Sequence, residues 1–186
     1  PGNLFLDTLP NPKTNDWRNN DYWTLASKDL YLIYGGICCY CCQFINLVQS
    51  PSNVDHFKPK SKYPRLAYEW TNLRLSSPRF NNRKGTKKSV LDPTEIGEHW
   101  FLLSFPTLEV IPNPDCDVNI RVAVQKTIDH LNLNDQMMID SRESWIINYC
   151  LNDVSFDYLR RYVPFIALEV ERQGLENELR AMFIGT

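Results

Sequence analysis

The sequence predicts an α+β fold: a small strand–strand–helix unit braced by helices, followed by a mainly helical C-terminal part. Three observations carry this reading. Residues 54–56 and 72–76 are short β-prone pieces on either side of a long polar loop, and a basic helix start follows near Asn81. Residues 100–105 and 108–111 are aromatic and branched apolar runs separated by Pro106-Thr107, the pattern of a hairpin. From Asn119 onward, apolar residues recur at helical spacing.

Residues 1–22 are rich in Pro and Asn and read as an irregular arm, with Trp17 and Trp23 as anchors. Residues 23–34 read as a helix stopped by Gly35, with Leu25, Leu30, Leu32 and Ile33 as its apolar positions. A cysteine-rich turn follows at 38–42, then an apolar, strand-like piece at 44–48 and turn chemistry at 49–53. The loop from Lys58 to Trp70 is too long to be a bare connection, and Tyr63, Tyr68 and Trp70 give it a packing of its own, with a short helical turn. Pro78-Arg79-Phe80 leads into the basic helix, and Leu91-Asp92-Pro93 ends the unit. Residues 94–118 read as an extended connection containing the hairpin. Four helices then follow at 119–132, 141–151, 156–162 and 164–173, with Gly174 as the last cap and helix resuming over 175–183. The expected organisation is an arm at 1–22, a core at 23–93, the connection at 94–118 and a helical part at 119–186 packed on the core as a single compact unit.

Charge singles out residues 54–88. This window holds ten Lys and Arg against Asp55 and Glu69, a net +8, in a chain whose total is −2, so the rest carries −10. A concentrated basic segment in an acidic protein points to a local anion site, the alternative being a solvated basic loop. The same window carries Asp55-His56, Asn72 and Asn81. Phosphodiester hydrolysis needs such groups: a neutral imidazole to take a proton from water, oxygen ligands for a hard cation, and basic residues for the polyanion.

Asp55-His56, then Asn72-Leu73, then Asn81-x-x-Lys84-Gly85 resembles the motif of the HNH endonucleases, the ββα-metal finger. HFKPKS followed by LAYEW-x-NL is similar in particular to the HNH nucleases of bacterial anti-phage systems, the PtuB-like group. The resemblance covers residues 35–92. It implies His56 as general base and Asn72 as the catalytic-site asparagine that ties down the loop. It also implies Asp55 and Asn81 as ligands of a divalent cation, Mg²⁺ or Mn²⁺. The basic frame adds Lys58, Lys60, Arg79, Arg83, Lys84 and Lys87 as nucleic-acid contacts, Arg83 and Lys84 foremost. Many HNH proteins carry two Cys-x-x-Cys knuckles around a structural zinc. Cys38-x-x-Cys41 matches the first, but Ser77 and Phe80 stand where the second would be. A closed zinc site takes four ligands, so structural zinc is not expected, and apolar packing at Phe80 is expected in its place.

The resulting expectation is a metal-dependent HNH endonuclease acting on nucleic acid, DNA before RNA, as effector of an anti-phage system with an ATPase partner. The alternative is a non-catalytic module that binds nucleic acid or a partner through a degenerate finger. A third, redox reading would use Cys38 and Cys41. The sequence shows no secretory leader and no run long enough to span a bilayer, so a cytoplasmic protein without a membrane partner is expected. Six cysteines, four of them within 38–42, suit a reducing compartment better than a disulfide framework.

Overall fold

In the computed structural model, which describes residues 1–87 and 89–183, the chain opens with a helix where the sequence predicts an irregular arm. Helix α1 (Gly2–Thr8) forms because Leu6 is fully buried and Gly2 lies against the Tyr68 ring. A Cβ at Gly2 would come within 2.5 Å of that ring, so only glycine allows the approach. A 3₁₀ turn, Thr14–Trp17, delivers Trp17 to the same small core. The chain divides into two compact units, Pro1–Tyr40 with Ile45–Lys88 and Cys41–Phe44 with Ser89–Thr186. Lys88, part of the basic window, lies outside the described residues.

In the first unit, the predicted helix over 23–34 is two pieces, a 3₁₀ turn (Tyr22–Ala26) and α2 (Ser27–Ile33). Only Leu30 of its apolar set is buried, while Leu25, Leu32 and Ile33 are exposed. The piece at 44–48, expected as a strand, instead enters a turn in which the Ser50 amide donates to the Asn46 carbonyl.

Strands β1 (Asn53–His56) and β2 (Leu73–Ser76) pair antiparallel, with Asn53 opposite Ser76, Val54 opposite Leu75, Asp55 opposite Arg74 and His56 opposite Leu73. β2 is buried along its whole length. The loop between them carries two 3₁₀ turns, Pro64–Leu66 and Trp70–Asn72, the local structure that its Pro and aromatic content predicts. Tyr68 packs against Trp17 and Trp23, while Tyr63 and Trp70 are exposed. Helix α3 (Pro78–Lys84) follows β2 at once, with Pro78 in the first turn, where a missing N–H is harmless, and Gly85 leaving it at φ 52°.

The second unit is built on β3 (Phe101–Ser104) and β4 (Glu109–Pro112), the predicted hairpin, paired from Phe101–Pro112 to Ser104–Glu109. Helix α4 (Val118–Leu131) packs on β4. Asp117 caps it by accepting from the Asn119 amide, and Asn132 ends it in the left-handed region. Helix α5 (Gln136–Cys150) starts five residues earlier than predicted, because Asp135 caps it through the Met138 amide. Helix α6 (Phe156–Tyr162) is capped by Ser155, and α7 (Pro164–Gln173) ends at Gly174, both at their predicted bounds. Residues 176–178 form a turn rather than helix, and α8 (Leu179–Phe183) is short. β3, α5, α6, α7 and α8 enclose one apolar core around Leu103, Phe105, Ile146, Leu159, Val163 and Ile166. Within it the buried Glu169 carboxylate accepts from the Leu103 amide and is held by Arg172 and Gln173.

The observed architecture is mixed α+β, with two small two-stranded sheets, the first followed in the chain by a helix.

Candidate functional site

The end of β1 places Asp55 and His56 side by side, 3% and 7% exposed, where period-two alternation sends neighbouring side chains in different directions. The His56 Nε2 lies 2.9 Å from the Ala67 carbonyl oxygen. A carbonyl oxygen only accepts, so Nε2 carries the proton, and in the neutral ring Nδ1 holds the lone pair. The Trp23 ring stands edge-on to the imidazole, with centroids 4.8 Å apart. Burial, then the nearby positive charge of Lys60, hold the His56 pKa down at about 4, below the ordinary 6.5. Lys84 adds to this, while the bond to Ala67 opposes it. His56 is therefore a neutral base across the physiological range.

Asn72 clasps the loop that carries Ala67. Its Oδ1 accepts from the Lys58 amide at 2.7 Å, and its Nδ2 donates to the carbonyls of Lys58 and Leu66, both at 3.0 Å. The carbonyl that fixes the His56 tautomer is thus one residue from a point held by Asn72.

Asp55 meets two partners. Tyr40 donates its hydroxyl to Oδ2 at 2.6 Å, and the Lys84 ammonium sits 3.0 Å from Oδ1 and 2.9 Å from Oδ2. Lys84 also donates to the His56 carbonyl at 2.7 Å and is fully buried. Lys84, expected as a phosphate contact, is instead committed to the carboxylate and strand of the site. Its position on the inner face of α3, seven residues along a helix that begins at Pro78, aims it at β1. Asn81 is the fourth residue of that helix, which starts at Pro78, three residues earlier than the sequence predicts.

Asp55, His56 and Asn81 line one cleft of about 1050 Å³. Of the predicted nucleic-acid contacts, Lys60 lines this cleft, its ammonium 4.6 Å from the Trp23 ring centre. Burial lowers the Lys60 pKa, and Asp55 partly restores it. Lys58, Arg79, Arg83 and Lys87 lie elsewhere on the unit, Arg83 over the Phe80 ring. The cleft has further walls: Trp23, expected as an anchor of the arm, and three residues of the N-terminal segment, Lys13, Arg18 and Asp21, with Asn53 of β1, none of which the sequence points to. No local signal in the sequence marks these residues, and Tyr40 is equally unmarked among the cysteines.

Cys38 is buried, and its Sγ accepts from the Ser77 amide at 3.4 Å. The position of the first knuckle thus meets the position where a second would start, and Phe80, three residues on, is buried. Cys41 belongs to the second unit. Among the described residues, no group of three or more His, Cys, Asp or Glu side chains is gathered to hold a metal ion.

Fold and site together define a mixed α+β protein with a buried Asp-His pair on a hairpin and a neutral imidazole at a cation-bearing cleft. A stretch of 61 residues is 38% identical to the Septu protein PtuB of Bacillus thuringiensis. That stretch is 31% of this chain and spans about a quarter of the length of the relative, 24%. No family model matches the chain. No helix among the described residues is long and apolar enough to cross a membrane.

Proposed function

We propose that this chain is a metal-dependent endonuclease of the HNH type, hydrolysing phosphodiester bonds of nucleic acid, DNA before RNA. Its biological role is that of effector in a bacterial anti-phage system, restrained or activated by an ATPase partner. The similarity to a Septu protein supports the defence setting. The observation that carries the chemistry is the tautomer of His56: Nε2 donates to Ala67, which leaves Nδ1 as the proton acceptor of a ring lining the cleft. In this reading Nδ1 takes the proton from the attacking water, and Asn72 keeps the loop, and so the ring, in place. A phosphate bound against Lys60 offsets the repulsion that depresses His56, so the base gains strength when substrate is present.

Asp55 and Asn81 offer the hard oxygen donors that Mg²⁺ or Mn²⁺ takes, and both line the cleft. They fit such an ion by donor type, with phosphate and water completing its shell. The ion would supply charge stabilisation at the phosphate and at the leaving oxygen.

One observation favours a second reading. Lys84 already balances the Asp55 charge, and three contacts use most of the carboxylate's lone-pair capacity. A finger in which lysine has replaced the metal would bind nucleic acid or a partner without cutting. Incubating supercoiled plasmid and a structured RNA with Mg²⁺, with Mn²⁺ and with EDTA separates the two. Metal-dependent cutting lost in His56→Ala supports the nuclease. Salt-sensitive binding with no cutting under any condition supports the module.

A further inference from the structure

Among the described cations of residues 54–87, several are held by partners elsewhere on the unit. Lys84 is fully buried on Asp55, Arg74 is buried and donates to the carbonyls of Thr71 and Leu73, and Arg83 lies over Phe80. Of that set, Lys60 lines the cleft. Two other cations do so as well, and both come from the N-terminal segment: Lys13 and Arg18, each exposed. Arg18 forms no ion pair among the described residues, unlike Arg65, which is paired with Asp7. Asp21, from the same segment, and Asp55 are the acidic residues of the lining.

The segment that carries them is fixed rather than loosely attached. Trp17, between Lys13 and Arg18, is buried among Phe5, Trp23 and Tyr68. The Tyr68 hydroxyl donates to the Asn20 carbonyl at 2.7 Å, and its phenol is pushed up to about 12, chiefly by burial, so it remains a donor. Leu6 and Ala67 close the same core. The loop that sets the His56 tautomer and the segment that presents Lys13 and Arg18 therefore share one packed joint. Exposed, long cations held by a buried aromatic anchor are a suitable arrangement for gripping a polyanion with little ordering of the backbone on binding.

We infer that the N-terminal segment is the second wall of the substrate cleft, and that Lys13 and Arg18 are substrate-positioning residues gripping backbone phosphates beside the one presented to His56. This rests on the reading of the cleft as a phosphodiester site and adds to it where the nucleic acid is held. The unit's basic surface outside the cleft is not the primary grip.

The test uses the full chain with His56→Ala as the binding parent and a fluorescent oligonucleotide, with affinity followed by anisotropy between about 50 and about 200 mM salt. Arg18→Gln and Lys13→Gln are each expected to weaken binding for all base sequences alike and to lower the slope of log K against log salt by about one. Arg18→Lys keeps the charge and is expected to stay near the parent. Lys126→Gln, on the exposed face of α4, is the control that leaves affinity and slope unchanged. In the active chain, Arg18→Gln raises KM with kcat nearly constant. Both residues are exposed, so the variants are expected to fold, which circular dichroism checks. Parent-like affinity and slope in the double variant Lys13→Gln/Arg18→Gln overturn the inference, as does a parent that shows no salt-sensitive binding. If the wild type cuts while the double variant binds normally, the wall fails and the nuclease reading stands. If Arg18 controls binding but the wild type never cuts, the wall stands and the reading of the chain as a nuclease active without its partner fails.

Discussion

Acid is predicted to destabilise the first unit through His56. In the folded chain its pKa is about 4 against an ordinary 6.5, because burial and the charges of Lys60 and Lys84 disfavour imidazolium. Between those values the unfolded chain takes up a proton that the folded chain refuses, so stability falls as pH drops through this window and levels off below it. The full displacement corresponds to about 3 kcal/mol, of which about 2 kcal/mol is already lost near pH 5. The perturbation is His56→Gln, which keeps an amide donor for the Ala67 carbonyl and removes the titration. Hydrogen exchange in urea, read on peptides of β1 and β2 with EDTA present, isolates the first unit. Between neutral pH and about pH 5 the wild type is expected to lose about 2 kcal/mol more than the variant. Equal losses in the two proteins would mean that His56 titrates normally when folded, and the argument from burial would fail.

Other outcomes follow from the same geometry. Lys84→Met leaves Asp55 buried without its counter-ion and is expected to destabilise by about 3–5 kcal/mol in urea unfolding, most of it recovered by adding Asp55→Asn. Asn72→Ala removes three hydrogen bonds that clasp the loop and is expected to lose about 2–4 kcal/mol, with faster proteolysis between Lys58 and Trp70. In the second unit, Glu169→Ala leaves the buried Leu103 amide unpaired and is expected to lose about 2–4 kcal/mol, read on β3 by hydrogen exchange. If cleavage is observed, kcat/KM is expected to lack an inflection near the ordinary histidine pKa and to decline only towards about 4, the free-enzyme value of His56.

Local patterns with a physical mechanism were the legible part of the fold. Ser155 before Phe156, Pro164 at a helix start and Gly174 at a helix end mark α6 and α7 because each acts within one turn of its own residue. The β3–β4 hairpin is equally local. Helix α1 was not legible, since a seven-residue helix depends on Leu6, Gly2 and the distant Tyr68 ring rather than on its own propensity. Leu25, Leu32 and Ile33 look like a core face by spacing, yet only Leu30 is buried, because a short helix buries as much as its neighbours cover.

At the site, Asp55, His56 and Asn81 line one cleft, and Asn72 anchors the loop behind His56. The direction in which each cation points was not legible. Lys84 and Lys60 look alike in a basic run, but one is drawn under β1 and the other lines the cleft. Lys13 and Arg18 carry no local mark of the cleft, because the segment that holds them is fixed through Trp17 and Tyr68, residues about fifty positions apart.

The central claim is tested most directly by cutting of supercoiled plasmid by the purified chain in Mg²⁺ or Mn²⁺, beside EDTA and His56→Ala. The account predicts nicking or linearisation that EDTA abolishes and that His56→Ala lacks while still folding and binding nucleic acid. Metal-dependent cutting by His56→Ala at the wild-type rate would contradict it.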